Sequence, residues 1–78
     1  MITGEQVSSA RKLLGWTREV LAEHAHVGRS AVTICERGEK EQSEMVVDAI
    51  QDALERAGVE FPDRTVVRLK QTPGERSM

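Results

Sequence analysis

Seventy-eight residues, 38% apolar and 31% charged, suffice for one domain with one modest core and exclude a disordered chain. A single cysteine excludes an internal disulfide framework, and no apolar run is long enough to span a bilayer. The formal net charge of −2 argues against strong non-specific attraction to nucleic acid.

The charge is unevenly spread. Residues 11–40 hold Arg11, Lys12, Arg18, Arg29, Arg37 and Lys40 against Glu19, Glu23, Glu36 and Glu39, a balance of +2. Residues 41–60 hold six carboxylates against Arg56 alone, a balance of −5. Any anionic partner is therefore expected on the first of these stretches, because fields in ordinary salt are screened within about 8–10 Å. The lone cysteine and the absence of the basic-then-apolar layout of a signal peptide lead us to expect a cytoplasmic protein.

Thr3 and Gln6 have the spacing of a capping box, in which the Thr hydroxyl and the Gln amide satisfy backbone N–H groups left open at a helix start. The helix this predicts runs to about Leu14, with Val7, Ala10, Arg11 and Leu14 on one face and Gly15 as its stop. Arg11 on that apolar face calls for a buried partner. Thr17 is the expected N-cap of a second helix, with Val20, Leu21 and Ala25 on one face and Trp16 packing on Leu21 as a hydrophobic staple. His26, Val27 and Gly28 leave room only for a tight turn. A third helix over 29–37 turns Val32, Cys35 and Glu36 inward, and Arg29, Ser30, Ala31, Thr33, Ile34 and Arg37 outward, before Gly38 ends it.

Residues 38–43 read as a polar loop, after which Ser43 is the expected cap of the longest helix, 44–57. Its apolar stripe is Val46, Ala49, Ile50, Ala53, Leu54 and Ala57, and its other face is acidic. Val59 to Phe61, a turn at Pro62-Asp63, and the β-branched Thr65 to Leu69 predict a short hairpin with Phe61 against the bundle. Val66 to Leu69 is expected either to pack on the core or to pair with its copy in a second subunit. The domain organisation expected is a helical domain over 1–61, a hairpin-strand extension over 62–70 and a disordered tail over 71–78. The fold class is all-α: about four helices in a compact bundle with a short C-terminal β-hairpin.

The outward face of the third helix is unusual for a small soluble domain, because it opens with an Arg followed by small and hydroxylated residues rather than with Glu and Lys. Small side chains let a helix approach a groove floor, and Arg and Ser can bond base edges or phosphates. The run LGWTREVLAEHAHVGRSAVTICERGEK, with Leu14, Gly15, Thr17, Glu19, Leu21, Ala22, Glu23, Val27, Val32, Glu36 and Gly38 at matching offsets, resembles the phage repressor and Cro-type helix-turn-helix family, also called the XRE family.

That resemblance implies sequence-specific binding of double-stranded DNA by a transcriptional regulator, with the third helix in the major groove. It places Arg29, Ser30 and Ala31 nearest the bases and Thr33 and Ile34 deeper along the helix. It puts Arg18, Arg37 and Lys40 on phosphates, and pairs Arg11 with Glu36 as a structural ion pair. It also implies a homodimeric repressor. His26 and Gly28 stand where the family usually has Gly and Ser or Thr, a difference expected to lower stability by a few tenths to ~1 kcal/mol. The alternative reading is a protein-interaction module, such as an antitoxin or phage accessory protein, that keeps the fold and docks a protein partner through its acidic helix or hairpin. His24, His26 and Cys35 lack a recurring zinc spacing, so no metal and no cofactor is expected. No nucleophile–base–acid set can be assembled either, which argues against an enzyme.

Overall fold

Thr3 begins the first helix as its spacing predicts: its hydroxyl accepts from the Gln6 N–H at 3.1 Å, and Gln6 Oε1 accepts from the Thr3 N–H at 2.9 Å. The computed structural model describes residues 2–38, 43–63 and 65–69. Its elements in chain order are α1 (Gly4–Leu14), α2 (Arg18–Ala25), α3 (Arg29–Arg37), α4 (Glu44–Arg56), β1 (Val59–Glu60) and β2 (Arg68–Leu69). The fold is the expected four-helix bundle with a C-terminal hairpin. Lys40, its neighbours in the polar loop and the 71–78 tail lie outside the described residues.

Two of the helix stops share one geometry. At Gly15 (φ 70°) the chain turns left-handed, and the next N–H, that of Trp16, donates back to Arg11 O at 2.9 Å. His26 (φ 58°, ψ 42°) does the same work after α2, with the Val27 N–H donating to Ala22 O at 3.0 Å. A side chain in this region is strained relative to glycine, and histidine is among the residue types that tolerate it better.

The core is built where the four helices meet. Val7, Leu21, Val32, Val47, Ile50 and Leu54 are fully enclosed, joined by Cys35 and by the alanines of α1, α2 and α4. α1 packs chiefly on α3, and α2 bridges α3 and α4. Gly4 makes the first contact close: a Cβ there would press on the backbone carbonyl oxygens of Glu36 and Cys35. Glycine is required at this position because α1 begins directly against the last turn of α3.

Several local expectations are corrected. On α4 the fully enclosed valine is Val47, with Val46 and Ala49 only partly buried, so the stripe is rotated from the expected one. Ser43 stands at the N-cap, but its hydroxyl makes no capping bond, and α4 ends at Arg56 with Gly58 left-handed at φ 103°. Trp16 is partly buried against the core that includes Leu21, and its ring stacks on His24, centroids 4.3 Å apart and 8° from parallel.

The hairpin pairs within the chain: β1 and β2 are antiparallel, with Val59 opposite Leu69 and Glu60 opposite Arg68. Val59 is buried, and Phe61 and Val67 pack against the core, so the segment is anchored rather than appended. Gln6 also contributes, donating through Nε2 to the carbonyls of Asp63 and Val66 and so tying the turn of the hairpin to the first turn of α1. A two-stranded ribbon this short needs such support to persist.

Candidate nucleic-acid interface

The α2–turn–α3 unit is set by capping and by a buried charge. Thr17 opens α2 by accepting from the Val20 N–H at 3.1 Å. Gly28 opens α3 in an extended conformation (φ −76°, ψ 155°) without any side-chain capping bond. Val32 and Cys35 plug the inner face of α3 into the core. Burial pushes the Cys35 thiol pKa up, and the nearby Glu36 carboxylate raises it further.

Glu36 fixes α3 against both preceding helices. Its Oε2 accepts from Arg11 Nε at 2.8 Å and its Oε1 from Arg18 Nε at 3.1 Å, while its side chain is 6% exposed. Arg11 also donates through Nη1 to Trp16 O at 3.0 Å, which ties the α1–α2 turn to the same network. The expected Arg11–Glu36 pair is therefore present. Arg18 belongs to the same network, a role the sequence reading missed because Arg18 lies on the exposed edge of α2.

The inner anchoring decides what α3 shows to solvent. Arg29, Ser30, Ile34 and Arg37 are exposed, and Ala31 and Thr33 are half-buried beside them. The Thr33 hydroxyl donates to Arg29 O at 3.2 Å, which leaves its oxygen open as an acceptor. Arg29 Nη1 stands 3.5 Å from Glu19 Oε1, both side chains well exposed.

An open cleft of about 430 Å³ runs from α1 across the start of α2 to the start of α3. Its lining includes Arg11, Lys12, Thr17, Arg18, Glu19 and Arg29. Arg18 and Arg29, expected to touch DNA, are thus brought together at one rim, and the rest of the α3 face continues from it. Lys12 and Glu19 were not among the expected site residues. The signal for Lys12 was its place in the last turn of α1, next to Arg11. Lys12 and Arg29 place cations in the cleft beside a helix start, an arrangement chemically suited to a phosphate oxygen, while Arg11 and Arg18 are already paired with Glu36.

His24, His26 and Cys35 are dispersed: His24 stacks on Trp16, His26 forms the turn and Cys35 is in the core. Among the described residues, no group of three or more His, Cys, Asp or Glu could hold a metal ion.

A comparison with curated proteins finds no match. A family model described as a helix-turn-helix domain matches residues 4–63, from the first residue of α1 to the turn of the hairpin. Such a domain suggests a DNA-binding regulator. The match spans most of the chain and takes in all four helices, and the protein belongs to the helix-turn-helix domain family.

Proposed function

We propose that this protein is a sequence-specific double-stranded DNA-binding regulator of the repressor type, acting in the cytoplasm as a homodimer. The observation that carries this reading is the outer face of α3. Arg29, Ser30, Ala31, Thr33 and Ile34 form one continuous strip on a helix whose inner face is locked by Val32, Cys35 and Glu36. In the major groove Arg29, Ser30 and Ala31 meet base edges first, and Ile34 reaches a thymine methyl. Arg18, Arg37 and Lys40 hold phosphates, with Lys40 proposed from its sequence position alone. For Arg18 this means giving up or sharing its bond with Glu36. A dimer reads half-sites about 34–36 Å apart, and occupancy of such an operator represses. Val66 and Leu69, exposed on the hairpin segment, offer apolar surface for the second subunit.

The test is selection of duplexes from a randomised pool, followed by binding over a salt series. A DNA reader enriches a motif, and its log affinity falls steeply with log salt. Failure to enrich any motif, with no affinity even at low salt, removes this reading.

The net charge of −2 and the exposed Glu44, Asp48, Asp52 and Glu55 of α4 favour a second reading, a protein-interaction module. In that case the acidic helix docks a basic protein partner, as an antitoxin or phage accessory protein would, and DNA affinity is weak or nil.

A further inference from the structure

Glu19 is out of place in a phosphate-binding cleft. It is a carboxylate set among Arg11, Lys12, Arg18 and Arg29, and its side chain is 72% exposed, so it repels the anion that the cations attract. Its position in the first turn of α2 gives it a modest favourable interaction with the helix dipole. Its contact with Arg29 is too exposed to contribute much to the fold.

The geometry of that contact suggests another role. Arg29 is the first residue of α3, and it meets Glu19 through Nη1 at 3.5 Å. The Nε and Nη2 donors of the same guanidinium share its other edge. A guanidinium reads guanine O6 and N7 through two parallel N–H groups of one edge, and binds phosphate through whichever donors are nearest. We propose that Glu19 is a specificity-positioning residue: it occupies one side of the Arg29 guanidinium, presents the Nε–Nη2 edge to guanine, and discourages Arg29 from binding phosphate. This rests on the DNA-binding reading of α3. It also gives the low charge a purpose, because a carboxylate beside the reading arginine lowers non-specific affinity while leaving base recognition intact.

The experiment compares wild type, Glu19→Gln, Glu19→Ala, Arg29→Ala and the Glu19→Ala/Arg29→Ala double variant. Each is titrated against the duplex selected by wild type, that duplex with each guanine replaced in turn, and a random-sequence duplex. The salt series runs from about 50 to 200 mM. For Glu19→Ala the expected result is tighter binding to random duplex, a salt slope steeper by about one, and discrimination at one guanine about tenfold lower. Arg29→Ala should lose discrimination at that same guanine, and adding Glu19→Ala in that background should leave the discrimination unchanged, any gain in affinity being shared equally by all duplexes. Glu19→Gln should fall between, since the amide keeps an acceptor and loses the charge. If selected and random duplexes gain affinity by the same factor, Glu19 contributes only charge and the assignment is overturned. The same holds if the double variant shows independent effects on discrimination. A wild-type chain that binds no duplex at the lowest salt overturns the DNA reading itself, and the Glu19 assignment with it.

Discussion

Arg11 on α1 and Glu36 on α3 meet at 2.8 Å, and Arg18 on α2 closes on the other oxygen of the same carboxylate at 3.1 Å. One nearly buried charge thus sets the relative placement of three helices. Removing it should strand Arg11, whose side chain is only 13% exposed. Glu36→Ala is expected to cost about 3–5 kcal/mol, a large part of the stability of a domain this size. Arg18→Ala should cost less than about 1 kcal/mol, because that side chain is half-exposed. Urea denaturation of both variants checks the contrast; a Glu36→Ala protein as stable as wild type contradicts it.

Gly4 and Gly28 should respond to substitution in opposite directions. A Cβ at Gly4 would press on backbone carbonyls of Cys35 and Glu36, which cannot move aside as a flexible side-chain end could. Gly4→Ala should therefore destabilise by about 1–3 kcal/mol, despite the higher helix propensity of alanine. Gly28 has an ordinary φ of −76° and open space around it. Gly28→Ser should add a missing N-cap bond and restrict the unfolded chain, a gain of about 0.5–1 kcal/mol. Thermal melts read both, at roughly 4–8 °C per kcal/mol.

Arg29→Ala should separate binding from folding. The side chain is exposed and its contact with Glu19 is weak, so the melting temperature should stay within about 0.5 kcal/mol equivalent of wild type. Specific DNA affinity should fall by about 1–3 kcal/mol, the range of one bidentate base contact. A large drop in melting temperature would show that Arg29 contributes to the fold.

Cys35 should report on opening of the core. Its pKa is raised by burial and then by Glu36, so the folded state holds the proton where an unfolded chain would release it. Below the ordinary thiol pKa both states are protonated and the group has no effect on stability. As pH rises past that value the unfolded state ionises first, and stability falls. Cys35→Ala should flatten that alkaline loss in a pH series of denaturation curves. Alkylation of wild-type Cys35 near neutral pH should proceed only as fast as the core opens.

Much of this fold was legible because its signals are local. The capping box of Thr3 and Gln6, the stops at Gly15 and Gly38, and the inward set Val32, Cys35 and Glu36 depend on spacing within one helix. The misses come from contacts between elements. Val46 and Val47 differ by about 100° around the helix, and the angle at which α4 meets its neighbours selects Val47. Gln6 reads as a cap, yet its amide also reaches the carbonyls of Asp63 and Val66, far along the chain. The closeness of Gly4 to Glu36 leaves no periodic trace at all. For the interface, the outward residues of α3 were readable from its period, whereas the pairing of Arg18 with Glu36 and of Arg29 with Glu19 required α2 and α3 to be placed together.

The most direct test of the central claim is an NMR titration of the isotopically labelled protein with random-sequence duplex DNA at low salt, repeated at higher salt. We predict shifts confined to Arg18, to the outward residues from Arg29 to Ile34 and to the segment from Arg37 to Lys40, reversed as salt rises. An absence of shifts there, or shifts centred on the acidic face of α4, would contradict DNA reading by α3.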